Sequence, residues 1–142
     1  MPKIKIAVLG TGGTIAGEAD SAADVLNYQD SQLSAADTLA PLRPYLPGNV
    51  ELLVIQISQL GSENFSTDTW LGLADAMTRL EETEAPDGFV LTQGTDTLEE
   101  TAYFLHLAIK TPKPVVVVGA MRPATALSAD GPLNLLRAVQ LA

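Results

Sequence analysis

An α/β fold built on a mostly parallel sheet is what this 142-residue sequence predicts, and three observations carry it. Short apolar runs with β-branched residues alternate with stretches whose apolar positions recur at helical spacing. The run Val115 to Val118 is apolar throughout, as a strand covered on both faces requires. Strand and helix succeed one another along the whole chain, the order that right-handed crossovers produce.

Ile4 to Leu9 reads as a buried parallel strand closed by Gly10 and the pair Gly12-Gly13, which puts Thr14 at a strand's carboxyl end. From Gly17 to Asp37 the chain is polar and rich in Ala, Ser and Asp, with Val25, Leu26 and Tyr28 as its sizeable apolar residues, a composition suited to a mobile flap or hairpin. Leu52 to Ile57 is a second buried strand. Ser66 to Leu80 carries Trp70, Leu73, Ala74, Met77 and Leu80 at helical spacing, with Ser66 or Thr67 as N-cap. Phe89 to Thr92 is the third strand. Thr97-Leu98-Glu99-Glu100 then reads as a capping box that opens a helix through about Ile109, with Leu98, Ala102, Leu105 and Ile109 inward. Pro112 and Pro114 stop that helix before the valine strand, and Asp130-Gly131-Pro132 starts a last helix carrying Leu133, Leu136 and Val139. The sequence ends inside that helix without a glycine stop, which predicts a truncated chain, and four strands would leave a sheet edge open to pairing.

Composition narrows the chemistry. An apolar content of 46% with 18% charged residues is that of a globular domain with its own core. With 17 acidic against 8 basic residues the formal charge is -9, and no Lys/Arg run offers a stripe for phosphates, which excludes nucleic acid and an anionic membrane surface as partners. No apolar stretch approaches the roughly 18 residues that span a bilayer. Met1-Pro2-Lys3 leads straight into the first strand, so a cytoplasmic product, or a mature periplasmic chain lacking its leader, fits. The sequence has no cysteine, so thiolate nucleophiles and Cys-ligated zinc are out, and a single histidine, His106, supplies no metal site. No metal or cofactor is expected. His106 reads as a partly exposed helix residue, and Glu81, Glu82 and Glu84 as a solvated helix end.

Ligands of an open parallel sheet bind where the loops after its strands converge. Thr14, Ser62-Glu63, Thr95-Asp96 and Ala120-Met121 all follow strands, so chain order alone gathers them into one site. A lone threonine beside glycines is ordinarily a turn or cap residue, and the pattern carries weight only because it recurs. A dinucleotide-binding turn starting at Gly10-x-Gly12 would need its third glycine at position 15, which is Ile15.

The segments Gly10-Thr11-Gly12-Gly13-Thr14-Ile15-Ala16-Gly17 and Thr92-Gln93-Gly94-Thr95-Asp96-Thr97 resemble the L-asparaginase and glutaminase-asparaginase family of threonine amidohydrolases, whose two threonine motifs read T-G-G-T-I-A and G-T-D-T. Tyr28, Gly61-Ser62-Glu63 ahead of Trp70, Gly119-Ala120-Met121-Arg122-Pro123 and Ser128-Ala129-Asp130-Gly131-Pro132 extend the resemblance over almost the whole chain. It implies a doubly wound, flavodoxin- or Rossmann-like three-layer α/β domain. Residues 1–142 would be the incomplete N-terminal domain, with the second domain absent, of a homo-oligomer, dimer or tetramer.

The implied activity is hydrolysis of the side-chain amide of L-asparagine, with L-glutamine as an alternative substrate, to the acid and ammonia. By resemblance Thr14 is the nucleophile, Tyr28 on the flap assists it, and Thr95, with Asp96, works with a downstream lysine in a second relay. Asp96 and Glu63 would grip the α-ammonium of asparagine or aspartate, Ser62 and nearby N–H groups the α-carboxylate, with Gly13, Gly94 and Ala120 lining the site. Flap closure on an amino-acid ligand would bring Tyr28 to the hydroxyl. The relay lysine would lie beyond residue 142. Lys3, Lys5, Lys110 and Lys113 all fall at the amino ends of the strands, about 17 Å away for a five-residue strand. Arg122 stays protonated and is no base. A non-catalytic fragment or amino-acid-binding module is therefore the alternative. Gln93 stands where the family usually has histidine, and exchanging a titratable ring for a neutral amide should make activity less sensitive to pH near neutrality.

Overall fold

The computed structural model describes residues 2–142. Strands β1 (Ile4–Gly10), β2 (Val50–Gln56), β3 (Gly88–Thr92) and β4 (Val115–Val118) form a four-stranded sheet in the order β2-β1-β3-β4, with every pairing parallel. The second strand begins at Val50 rather than Leu52 and ends at Gln56 rather than Ile57.

Alternate residues of the central strands serve opposite layers. Ile6, Val8 and Val90 face α1 (Ala35–Leu39), the 3-10 turn Ala40–Tyr45 and α4 (Gly131–Leu141), where Leu39, Leu42, Leu135, Ala138 and Val139 complete one core. Ala7, Leu9, Phe89 and Leu91 face α2 (Thr67–Thr83) and α3 (Leu98–Ala108), which contribute Leu73, Met77 and Leu105 to the other. Every residue of β3 is buried because both of its faces are covered. The fold is thus a doubly wound, three-layer α/β sandwich. From β1 the chain moves outward to β2, then crosses back over β1 to β3, so winding reverses between β1 and β3 and leaves a crevice at their carboxyl ends.

Local chemistry sets the helix ends. Ser66, in extended backbone, accepts the Thr69 N–H, while the Thr69 hydroxyl accepts the Ser66 N–H. This is a capping box with threonine in the place usually held by Glu or Gln. The box expected at Thr97 does not form: Thr97 makes no side-chain cap bond, and its hydroxyl donates to the Ser62 carbonyl at 3.0 Å, an acceptor delivered by another loop. The polar stretch read as flap through Asp37 stops earlier, since Ser34 caps α1 by accepting the Asp37 N–H and Ala35 is buried. In α4 the inward side chains are Leu135, Ala138 and Val139, whereas Leu133 is exposed. The glutamate cluster is only partly solvated: Glu81 pairs with Lys113 at 3.0 Å and Glu84 with Lys5 at 3.2 Å.

Candidate active site

After β1 the chain turns through two glycines in left-handed backbone, Gly12 at φ 106° and Gly13 at φ 82°. The turn is tied to the neighbouring strand, because the Thr11 N–H and hydroxyl both donate to the Thr92 carbonyl, at 3.1 and 2.7 Å. Gly13 also lies against the backbone of Gly94, where a Cβ would collide with it. The two threonine loops therefore touch through their glycines, at the reversal point of the sheet.

Thr14, Ser62 and Thr95 share one local design. Each is the first residue of a short 3-10 turn, over Thr14–Ala16, Ser62–Asn64 and Thr95–Thr97, following β1, β2 and β3 respectively. A first-position N–H has no carbonyl to reach within its own turn. Three loops thus present a hydroxyl together with a helix-start N–H end, the arrangement that suits a carboxylate or a developing oxyanion.

The flap returns over this site as a hairpin with a single antiparallel bridge, Glu18 to Gln29. Tyr28 on its second arm meets the nucleophile candidate directly, with Thr14 Oγ1 and Tyr28 OH 2.8 Å apart. Three hydrogen bonds fasten the hairpin to the loop after β4: Ala124 N–H to the Gly17 carbonyl at 2.8 Å, Ala19 N–H to Thr125 Oγ1 at 2.9 Å, and Leu127 N–H to the Ala22 carbonyl at 2.9 Å.

Ser62 is buried and joins the second and third loops. Its Oγ accepts the Asp96 N–H at 3.0 Å, and its carbonyl accepts the Thr97 hydroxyl. With a lone pair so engaged, the Ser62 proton remains for another acceptor. Beneath Thr95, the fully buried Gln93 donates from Nε2 to Thr97 O, Thr97 Oγ1 and Thr101 Oγ1, at 3.2, 3.2 and 2.9 Å. Trp70 Nε1 donates to the same Thr101 oxygen at 2.8 Å, so one hydroxyl anchors α2 and α3 to the loop. Gln93 Oε1 is buried and has no hydrogen-bond partner among the described residues.

The loop after β4 is organised by Asp130. Its carboxylate accepts the N–H groups of Met121 and Arg122, at 3.0 Å each for the shorter bonds, and the Asn134 side-chain amide at 3.2 Å. Burial is the largest single influence and opposes its ionisation. The N–H donations from Met121, its own backbone and Arg122, with Asn134, together outweigh burial and hold the carboxyl below its ordinary range. Arg122 keeps to the structural role of this loop, its guanidinium donating to the Ser128 carbonyl at 3.2 Å.

These loops enclose a pocket of 330 Å³. Every residue named from the sequence as catalytic or substrate-binding lines it: Gly13, Thr14, Tyr28, Ser62, Glu63, Gly94, Thr95, Asp96 and Ala120. Gly61, Met121 and Asp30 complete the wall, and of these Asp30 was not foreseen. Its signal was present in the sequence, since residues two apart in extended backbone share a face and Asp30 follows Tyr28 by two. Its carboxylate and that of Glu63 both reach over Gly61. Asp30, Glu63 and Asp96 give this wall an acidic character. A larger cavity of 520 Å³ between α3 and β4 holds none of these groups, being lined by Leu105, His106, Val115 and Val117 among others. Lys3 pairs with Glu51 at 3.5 Å, and like Lys5 and Lys113 it belongs to the amino end of the sheet.

The family model for the N-terminal part of asparaginases matches residues 5–142. The probable periplasmic L-asparaginase of Haemophilus influenzae is 50% identical over 137 residues, 96% of this chain and 38% of that protein. L-asparaginase 2 of Escherichia coli is 46% identical over 134 residues, 94% of this chain and 37% of that one. A glutaminase-asparaginase of Pseudomonas fluorescens is 45% identical over 137 residues, again 96% of this chain and 38% of the relative. Among solved structures, a probable cytoplasmic L-asparaginase from Campylobacter jejuni superposes with a TM-score of 0.87 at 46% identity, over 98% of this chain and 42% of that one. The chain spans about two-fifths of the length of the relatives it matches.

Proposed function

The chain belongs to the asparaginase family, and we propose that it supplies the nucleophile and substrate clamp for hydrolysis of the side-chain amide of L-asparagine, with L-glutamine as a second substrate. The observation that carries this reading is the Thr14 to Tyr28 hydroxyl contact at 2.8 Å inside a pocket walled by Ser62, Glu63, Thr95 and Asp96. Thr14 Oγ attacks the amide carbon as its proton moves to the Tyr28 oxygen, which passes its own proton on toward the amide nitrogen. The carbonyl oxygen becomes an oxyanion, to which the N–H groups opening the turns at Thr14 and Thr95 donate. As the C–N bond breaks, the nitrogen carries off the proton relayed from Thr14 through Tyr28 and leaves as ammonia. Water then hydrolyses the threonyl ester to aspartate and restores the hydroxyl.

Charge matching supports the substrate class. Asp96, Glu63 and Asp30 offer carboxylates to an α-ammonium, while the free proton of Ser62 and the turn N–H groups offer donors to an α-carboxylate. Residues 1–142 serve in this reading as the N-terminal α/β domain of a homo-oligomer. A second reading, an amino-acid-binding module without turnover, is favoured by one observation: among the described residues no lysine lines the pocket to relay the proton of Thr95. Incubating the purified 142-residue chain with L-asparagine and assaying ammonia, beside a calorimetric titration with L-aspartate, separates the two. Ammonia release abolished by Thr14→Val supports hydrolysis, aspartate binding without ammonia supports the module, and neither would sink both.

A further inference from the structure

Ser31 is a serine held where backbone geometry favours glycine, at φ 54° and almost fully buried. Its Oγ accepts the Gly13 N–H at 2.8 Å, and its own N–H donates to the Gly13 carbonyl at 3.2 Å. One flap residue therefore grips both polar groups of the residue that immediately precedes Thr14. On its other side the Ser31 carbonyl accepts Gln59 Nε2 at 3.2 Å, which fixes this end of the flap to the loop after β2. Tyr28 lies three residues earlier on the same arm.

Glycine would adopt this backbone with less strain, but it would leave the Gly13 N–H without its acceptor. The side chain must therefore offset its own unfavourable φ through the bond it makes. The same bond occupies the Gly13 N–H, so the oxyanion donors fall to the turn starts at Thr14 and Thr95. We propose that Ser31 is a positioning residue, the latch through which the Tyr28 arm sets the height of the Thr14 loop and holds the two hydroxyls at bonding distance. The proposal rests on the reading of Thr14 and Tyr28 as the reacting pair.

Ser31→Gly and Ser31→Ala in the 142-residue chain test it by NMR. Alanine keeps the strained backbone and loses the hydroxyl; glycine loses both. Exchange of the Gly13 amide should be roughly three- to tenfold faster in both variants, the range expected for one lost hydrogen bond. The cross-relaxation between the Tyr28 ring and the Thr14 methyl group should weaken in both, while the thermal midpoint of Ser31→Gly, which is relieved of the strained backbone, stays above that of Ser31→Ala. In turnover, kcat for asparagine should fall about tenfold with KM within about twofold. Unchanged Gly13 exchange in both variants, or an unchanged Tyr28 to Thr14 contact in Ser31→Gly, would overturn the latch. The exchange and contact measurements judge Ser31 even if the parent releases no ammonia, an outcome that counts against the hydrolytic reading alone.

Discussion

The hydroxyls of Thr14 and Tyr28 lie 2.8 Å apart, although they come from a turn after the first strand and from the far arm of a hairpin that folds back over it. Either can donate to the other, so a proton leaving Thr14 has an immediate acceptor. Thr14→Val replaces the hydroxyl by a methyl group of the same shape. Ammonia release from L-asparagine should fall by about a thousandfold or more, and for Tyr28→Phe by roughly ten- to a hundredfold, because the phenyl ring still fills its place. Aspartate affinity should change little in either. Retention of a tenth of the parent rate by Thr14→Val would remove that residue from the mechanism.

Two glycine substitutions should move stability in opposite directions. Gly13→Ala puts a Cβ into the Gly94 backbone at φ 82° and should cost about 2–4 kcal/mol. Gly72 lies exposed inside α2, and a methyl group added there would meet nothing within 4 Å, so Gly72→Ala should stabilise by roughly 0.5–1 kcal/mol through backbone entropy and helix propensity. Urea unfolding midpoints of the two variants give both signs.

Acid should loosen the loop after β4 by way of Asp130. Its carboxyl is held below the ordinary range in the folded protein, so it contributes stability that is fully present above the unfolded value, near 3.9, and is lost as pH falls through the folded value. Because this loop carries Ala124, Thr125 and Leu127 to the flap, the flap should release with it. Asp130→Asn should lower the thermal midpoint at pH 7 and flatten its decline between about pH 5 and pH 2 relative to the parent. Parallel acid limbs for parent and variant would show that Asp130 is not the group responsible.

Thr101 is fully buried and accepts hydrogen bonds from both Trp70 and Gln93. Thr101→Val keeps the volume but strips Trp70 Nε1 of its partner and removes the shortest of the three bonds from Gln93, at about 1–3 kcal/mol for the group left unmet. The loss should appear as a lower urea midpoint together with a shifted Trp70 emission, since that ring is the single tryptophan. A red shift on its own, without destabilisation, would mean that water had replaced Thr101.

The alternation of strand and helix, the parallel order that brings the loops after the strands to one rim, and the residue types that meet there can all be read along the chain. Those features are legible because strand burial and helix spacing are periodic, and periodicity is a property of neighbours along the chain. Folding alone decided where the hydroxyls and carboxylates would find partners. Thr97 has the local pattern of a helix cap, yet its hydroxyl goes to the carbonyl of Ser62, while Thr69 completes the box at Ser66 without the Glu or Gln that marks one. Asp30 joins the acidic wall and Ser31 grips Gly13 because the hairpin returns over the turn after β1, and Asp130 turns from its helix end to the N–H groups of Met121 and Arg122. A hydrogen bond goes to whichever acceptor is nearest in space, and for these groups that neighbour exists only after segments distant in sequence have packed together.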